Sequence, residues 1–286
     1  MNPVAVDDVD ELVLDDPSVD PGALPHEHEA TRPPKLVVRD LVKEFPTRGR
    51  GQGKVLAIDH VNLEVADREF VCLVGSSGCG KSTLLNIVAG LDLPTSGSVE
   101  VDEEPVIGPG PDRGMVFQTY SLYPWRTVAE NVAFGLECVR MKKAQRKERV
   151  DELLGIVGLT KFADHAPDQL SGGMRQRVAI TRALAPEPDV LLLDEPFGAL
   201  DAQTRRAMQD FLLKVWQRTR STVVFVTHDI PEAIYLGSRV VVLASHPGRV
   251  IADIDVPFGP GHGPGITRDP RYLDLRDEIE ELLGSV

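Results

Sequence analysis

A glycine-rich loop between an apolar strand and a helix constrains the fold more than any other part of the sequence. The segment GSSGCGKST, residues 75–83, follows the apolar run EFVCLVG and precedes STLLNIVAGL, whose apolar residues have helical spacing. The pattern G-x-x-x-x-G-K-[ST] in this context is typical of a loop that wraps phosphate groups. The sequence therefore predicts an α/β fold, with a βα unit in a buried parallel sheet and a nucleotide phosphate site at its end.

Each residue type in this loop has a physical reason. The glycines allow backbone conformations and close approaches that a Cβ atom would prevent. Backbone N–H groups then point at the phosphates, beside the positive end of the following helix. Lys81 adds a mobile positive charge, and the Ser82 hydroxyl can ligate Mg²⁺. The residues predicted to contact the nucleotide are Gly75, Ser76, Ser77, Gly78, Cys79, Gly80, Lys81, Ser82 and Thr83.

A second apolar strand, in PDVLLLDEP at residues 188–196, ends in two carboxylates. Asp194 at the strand end suits Mg²⁺ coordination beside Ser82. Glu195, one residue later, is placed to orient or deprotonate the water that attacks the γ-phosphate. A strand ending in Asp-Glu is weak evidence by itself, but together with the upstream phosphate loop it predicts hydrolysis of ATP·Mg²⁺.

Charge and composition narrow the class of protein. The net charge is −13, and residues 1–30 contain nine acidic residues without a Lys or Arg, so the rest of the chain carries only about −4. A nucleic-acid binder usually shows a basic patch, so we expect no nucleic-acid partner. The apolar runs are far shorter than the roughly 20 residues of a membrane-spanning helix. Three scattered cysteines, without metal or disulfide spacing, favour a reducing cytoplasm.

The chain divides into a tail, a body and a C-terminal extension. Residues 1–34 are acidic and proline-rich, which predicts a disordered tail. Residues 35–262 form the predicted ATPase body, and a stretch at about 119–178, rich in helix-forming residues, interrupts it as a helical insertion. Residues 263–286 are predicted to be a helical extension that packs on the core. Its expected apolar stripe is Leu273, Leu275, Ile279, Leu282 and Leu283.

Between the two nucleotide motifs lies LSGGMRQR, residues 170–177, and here the sequence resembles the nucleotide-binding subunits of ABC transporters. The resemblance runs from about Lys35 to the C-terminus and rests on several motifs in the family's order. It implies a RecA-like parallel sheet with an antiparallel β subdomain and a helical subdomain. It also implies a homodimer, in which the signature residues Ser171, Gly172 and Gly173 cap the γ-phosphate of ATP bound to the opposite subunit.

The resemblance assigns further residues. Phe45 lies where the family stacks an aromatic ring, usually Tyr, on adenine, although burial in the core is the alternative. Gln118 resembles a glutamine that senses Mg²⁺ and water. Asp201, after Leu200, resembles the loop that links the two sites. His228 resembles the switch histidine that contacts the γ-phosphate. The implied catalytic set is Lys81, Gln118, Glu195 and His228, and the implied metal set is Ser82, Gln118 and Asp194.

Two residues of the segment LSGGMRQR, Met174 and Ser171, allow more than one interpretation. The family's fifth signature residue is commonly Gln, and here it is Met174, which leaves that polar role in doubt. Ser171 is also a suitable helix N-cap, a structural role that can coexist with ATP binding.

Two longer stretches, residues 121–137 and 228–250, are similar to importer subunits for nitrate, aliphatic sulfonates or taurine. This similarity implies a peripheral subunit on the cytoplasmic side of the cell membrane. Its permease would be contacted near Tyr123, Pro124 and Trp125, and an extracytoplasmic solute-binding protein would take part indirectly. The alternative for these aromatic residues is a locally buried pair.

Other functions stay open at this point. A soluble ABC-type ATPase that acts on ribosomes or DNA would share the motifs, although the ribosome type usually has two cassettes and the repair type a long coiled-coil insertion. A phosphate-loop kinase would lack LSGGMRQR and the His228 switch. A cassette that only binds ATP is conceivable, but Lys81, Asp194, Glu195 and His228 are all present.

Overall fold

The computed structural model describes residues 34–46 and 53–285. The predicted tail, apart from Pro34, lies outside the described residues. In chain order the strands are β1 (Pro34–Pro46), β2 (Lys54–Ala66), β3 (Phe70–Gly75), β4 (Ser96–Val101), β5 (Glu104–Pro105), β6 (Arg113–Val116), β7 (Val190–Asp194), β8 (Thr222–Thr227), β9 (Arg239–Ala244) and β10 (Arg249–Asp255). The helices are α1 (Lys81–Val88), α2 (Val128–Cys138), α3 (Lys143–Ile156), α4 (Gly172–Leu184), α5 (Ala202–Thr219), α6 (Ile230–Leu236) and α7 (Pro270–Gly284).

The strands form two sheets. The larger sheet has the order β10-β9-β3-β8-β7-β6, and all its pairings are parallel except that of β10 with β9. The smaller sheet, β2-β1-β4-β5, is antiparallel. The predicted α/β class and the combination of a parallel with an antiparallel sheet are confirmed.

Alternate residues of the parallel strands face two separate cores. On β3, Phe70, Cys72 and Val74 belong to one apolar cluster, and Val71 and Leu73 belong to the other. This follows from the two-residue period of a strand, and it explains why the central strands are apolar throughout. The first cluster lies under helices α2 to α7, and the second lies between the parallel sheet, α1 and the antiparallel sheet.

Helices α2, α3 and α4 occupy the chain between β6 and β7. Thr127 begins α2 with a capping box, because its hydroxyl accepts from the Glu130 N–H while the Glu130 carboxylate accepts from the Thr127 N–H. Helix α4 continues past residue 178 to Leu184 and contacts both α2 and β6. The bounds proposed for the helical insertion stay a prediction.

The C-terminal helix α7 packs on α6 and β9, as the apolar spacing predicts. Its buried residues are Tyr272, Leu275 and Ile279, whereas Leu273 is exposed. The expected stripe was therefore wrong at Leu273, because the helix turns the neighbouring Tyr272 toward the core. Within residues 34–46 and 53–285, no helix has the length and apolar character needed to span a membrane.

Candidate nucleotide site

The predicted phosphate loop connects the end of β3 at Gly75 to the start of α1 at Lys81. Gly78 and Gly80 have φ angles of 83° and 93°, in the left-handed region that disfavours residues with a Cβ atom. At Gly80 a Cβ would also lie 2.9 Å from the carbonyl oxygen of Ala57, because the loop packs closely against β2. The glycines are thus required both by backbone conformation and by close approach.

Lys81 lies inside this loop rather than in solvent. Its side chain is buried, with the residue 5% exposed, and Nζ donates to the carbonyl oxygens of Gly75 at 2.7 Å and Ser76 at 3.0 Å. The remaining donor approaches the sulfur of Cys79 at 3.6 Å. A buried ammonium needs such partners. The positive charge is therefore held where phosphate oxygens would enter the loop.

Ser82 and Asp194 meet directly, because the Ser82 hydroxyl donates to Oδ1 of Asp194 at 3.0 Å. Burial is the main reason that the pKa of Asp194 is raised above its ordinary value, while the Ser82 hydrogen bond and the charge of Lys81 lower it. The exposed Ser82 hydroxyl and the buried Asp194 carboxylate that converge in this way are the oxygen donors that Mg²⁺ prefers, usually together with substrate phosphates. The residues present therefore fit a Mg²⁺ ion at this point.

Glu195 and His228 form a second pair at the same edge of the sheet, with 2.9 Å between Oε2 of Glu195 and Nδ1 of His228. Strands β7 and β8 are parallel, and Asp194 lies opposite Val226, so the residues just beyond the two strands become neighbours. Glu195 has a φ angle of 42°, and its N–H donates to the Val226 carbonyl at 3.0 Å. This contact was not foreseen from the sequence.

The other two residues predicted on the nucleotide side are exposed. Gln118 follows β6, whose Val116 lies opposite Leu193 of β7, so it extends from the same sheet edge as Asp194. Phe45 is 38% exposed, which excludes the alternative that it is a core residue. The ammonium of Lys43 lies 4.9 Å from the centre of its ring.

The signature residues begin α4. The Ser171 hydroxyl accepts from the N–H of Met174 at 3.3 Å, which confirms its role as the N-cap. A Cβ on Gly173 would lie 2.8 Å from Cγ2 of Thr204, so this helix start packs closely against α5. Met174 itself packs on the apolar core, which gives a physical reason for an apolar residue at that position.

Asp201 caps α5 and lies close to the signature. Its carboxylate accepts from the N–H of Thr204 at 3.0 Å, and this hydrogen bond lowers the pKa of Asp201. The structure thus places the predicted residues in two groups. Lys81, Ser82 and Asp194 converge with the Glu195–His228 pair at one sheet edge, and Ser171 to Gly173 lie with Asp201 where α4 and α5 begin.

Comparison with known proteins identifies the family. The family model for the ABC transporter domain matches residues 58–198. The chain is 48% identical over 245 residues to a nitrate import ATP-binding protein of Synechococcus elongatus, covering 84% of this chain and 88% of the relative. It is also 48% identical over 236 residues to a taurine import ATP-binding protein of Rhizobium johnstonii, covering 81% and 90%. The chain belongs to the ABC transporter family.

A solved structure agrees with this assignment. A dimeric ATP-binding cassette in a post-hydrolysis state, bound to ADP and Pi, is 36% identical to this chain and superposes with a TM-score of 0.67. The match covers 77% of this chain and 98% of that one. The chain is therefore an ATP-binding ABC subunit with ATPase activity, and the predicted cassette fold is confirmed.

One element of this ABC subunit was missed in the sequence. Asn131 on α2 is fully buried and holds the preceding loop. Its Oδ1 accepts from the Tyr123 N–H at 2.9 Å, and its Nδ2 donates to the carbonyls of Tyr123, Arg126 and Thr127 at 3.2, 3.1 and 2.9 Å. An asparagine inside an apolar helical stripe, where its propensity is poor, is the signal that could have revealed it.

The loop that Asn131 holds presents its aromatic residues unequally. Trp125 is 76% exposed, so the alternative of a buried aromatic pair is wrong for this residue. Tyr123 is half-buried against Phe134, with ring centres 4.8 Å apart, and the Arg182 guanidinium of α4 lies 5.4 Å from its ring. The ABC subunit therefore exposes the indole of Trp125 on a loop whose backbone is held by hydrogen bonds to Asn131.

Proposed function

We propose that this ABC subunit is the ATP-hydrolysing component of an importer for nitrate, an aliphatic sulfonate or taurine. It acts as a homodimer at the cytoplasmic face of the cell membrane and drives a separate permease. The observation that carries the proposal is the Glu195–His228 pair beside Ser82 and Asp194, since this is a complete hydrolytic edge within one chain. The names of the nitrate and taurine relatives support the importer branch.

At the hydrolytic edge, the phosphate loop binds the β- and γ-phosphates through its N–H groups and Lys81. Ser82 and Asp194 would hold Mg²⁺, and Gln118, just beyond β6, would supply a further oxygen ligand. The bound ion would offset negative charge on the phosphate oxygens. Phe45, exposed at the end of β1, stacks on the adenine.

Glu195 orients the attacking water and accepts its proton as the water oxygen bonds to the γ-phosphorus. The bond from that phosphorus to the β-phosphate oxygen breaks. An ionised carboxylate only accepts hydrogen bonds, so Nδ1–H of His228 donates to Glu195. Nε2 of His228 can then contact a γ-phosphate oxygen as an N–H donor in the imidazolium form, in which both ring nitrogens carry protons.

The proposed dimer completes each site. Ser171, Gly172 and Gly173, at the positive end of the α4 dipole, contact the γ-phosphate of ATP held by the other copy. Asp201, which caps the adjacent helix α5, lies at the junction between the two sites. The dimeric form of the solved cassette supports this arrangement.

The permease is contacted by the loop that carries Tyr123, Pro124 and Trp125. An exposed tryptophan on a rigid loop is well suited to anchor an interface, because aromatic side chains dominate binding energies when they enter a pocket. The solute is recognised by the permease and by an extracytoplasmic binding protein.

The test is reconstitution in proteoliposomes with the permease and binding protein, with ATP hydrolysis measured as nitrate, taurine and alkyl sulfonates are added in turn. The proposal predicts that one of these solutes stimulates hydrolysis and accumulates inside the vesicles. A chain that does not associate with the permease, and whose hydrolysis is unaltered by the permease and by every solute, would instead indicate a soluble ABC-type ATPase.

A further inference from the structure

A buried polar network contacts residues 227–229, which carry His228 and are called the His228 loop here. No motif in the sequence points to this network. Glu232 on α6 is only 5% exposed, and both of its carboxylate oxygens are engaged. Oε2 accepts from the Thr227 hydroxyl at 2.6 Å, and Oε1 accepts from Nε2 of Gln209 at 2.9 Å. A buried carboxylate is costly, so its presence beside the site calls for an explanation.

The Thr227 hydroxyl relays this contact to the backbone of the His228 loop. It donates to Glu232 and accepts from the N–H of Asp229 at 3.0 Å. The Glu232 N–H in turn donates to Oδ1 of Asp229 at 2.9 Å. The residues on both sides of His228 are therefore tied to Glu232, Thr227 through the carboxylate and Asp229 through the Glu232 backbone N–H.

Gln209 connects the network to α5. This helix starts at its N-cap Asp201, beside the signature residues, and Gln209 lies two turns further along. Arg205, one turn earlier on α5, lies 3.7 Å from the carboxylate of Asp229. Two polar contacts thus join α5 to the short segment of residues 227–232.

We propose that Glu232 is a positioning residue for ATP hydrolysis, which holds His228 against Glu195 through Thr227 and ties that loop to α5 through Gln209. This inference rests on the proposed role of His228. It assigns to Glu232 no contact with ATP: the carboxylate acts on the backbone at residues 227–229, and that backbone sets where the imidazole points.

Two matched pairs of variants test the network in the full-length chain. Thr227→Val removes the hydroxyl at nearly constant shape, whereas Thr227→Ser keeps it. Glu232→Leu removes both acceptors, whereas Glu232→Gln can keep both hydrogen bonds once the Gln209 amide turns over. Because a loss in kcat with an unchanged KM separates an effect on the transition state from one on ATP binding, both constants are measured.

We expect Thr227→Val and Glu232→Leu to lower kcat about tenfold, with the KM for ATP within about twofold of the parent, since interactions made in the transition state affect kcat. The two conservative variants should stay within about threefold of the parent in kcat. Loss of kcat in Thr227→Ser equal to that in Thr227→Val, or an unchanged kcat in Thr227→Val, would overturn the proposal. Retention of the ATP KM serves as the check that each variant is folded.

A double-mutant cycle with His228→Ala separates this inference from the function on which it depends. If Glu232 acts through His228, Thr227→Val should lower kcat by less than about twofold in the His228→Ala background, because neighbours in one network are not additive. Full additivity would overturn the positioning role while leaving His228 in place. An unchanged kcat in His228→Ala itself would overturn the proposed role of His228 instead.

Discussion

Two regions of the molecule differ in how far one chain completes them. The hydrolytic edge, made of the phosphate loop at residues 75–83 with Asp194, Glu195 and His228, is held by internal hydrogen bonds, and Lys81 and Asp194 are buried. The partner face, made of Ser171–Gly173 and the loop at residues 121–126, exposes Ser171 and Trp125. The first region is internally hydrogen-bonded, whereas the second combines a backbone held by the Ser171 cap and by Asn131 with exposed side chains at Ser171 and Trp125.

The largest effect is expected at Glu195. Glu195→Gln keeps the side chain's shape but removes its ability to accept a proton, so phosphate release should fall at least about a hundredfold. ATP should still bind, and closed dimers should accumulate. Phosphate release and size-exclusion chromatography with ATP measure both, and Glu278→Gln on the exposed surface of α7 is the control. Near-normal turnover in Glu195→Gln would count against the water-orienting role.

The next largest effect is expected at Lys81. Lys81→Ala removes a charge held among the loop carbonyls, and hydrogen bonds from a charged donor are worth enough for a loss of about ten- to a hundredfold in ATP affinity. Titration with a fluorescent ATP analogue measures the change. Lys147→Ala, which removes an exposed ammonium paired with Asp151 on α3, should leave affinity unaltered. Equal affinities for Lys81→Ala and the parent would refute the assignment.

A smaller effect is expected on the partner face. Trp125→Ala should weaken binding to the permease about tenfold, because truncating an anchor at an interface typically has an effect of this size. ATP hydrolysis by the isolated chain should not change. Ile107→Ala, at another highly exposed apolar position, is the matched control for pull-down and for stimulated hydrolysis. If both variants retain normal permease binding, the contact lies elsewhere.

The smallest effect concerns pH and stability. Burial raises the pKa of Glu232 above its ordinary value of 4.5. The folded state therefore holds this proton more tightly than the unfolded state, so the parent should lose free energy of unfolding as the pH rises from 4.5 to the raised value. Glu232→Gln has no carboxylate at this position and should not show this loss of stability. Asp194, whose pKa is also raised, is present in both proteins, so its contribution cancels in the comparison.

Urea denaturation of the two proteins across about pH 4 to 8 measures this difference. As the pH rises, the free energy of unfolding of Glu232→Gln should increase relative to that of the parent, and the difference should then level off. A gap that stays constant over the whole range would mean that the carboxylate does not titrate differently in the folded state.

The sequence was informative where chemistry depends on local spacing. The phosphate loop, the strand ending at Asp194 and the N-cap at Ser171 each follow from a few consecutive residues. The contact between Glu195 and His228 depends on the register of β7 against β8, which single-strand patterns do not contain. The Glu232 network depends on how closely the first turn of α6 packs against Thr227 and against Gln209 of α5. Asn131 acts through a loop whose path the sequence does not determine. On α7, Leu273 was placed on the buried face, but the residues that share a face at helical spacing are Tyr272, Leu275 and Ile279.

The central claim is that each ATP site is divided between two copies of the chain. It can be tested with two variants, Lys81→Ala and Ser171→Asp, assayed at an ATP concentration at which neither alone turns over detectably. Aspartate caps a helix about as well as serine, so Ser171→Asp keeps α4 intact while its charge repels the γ-phosphate. Ser171→Asn supplies the neutral control.

The decisive measurement is ATP hydrolysis by an equimolar mixture of the two variants after their dimers have exchanged subunits. In each mixed dimer one site combines both defects, whereas the other joins an intact phosphate loop to an intact signature. The account predicts that activity reappears on mixing although each variant alone is inactive. A mixture as inactive as its components would contradict the divided site and place the whole of it within one chain.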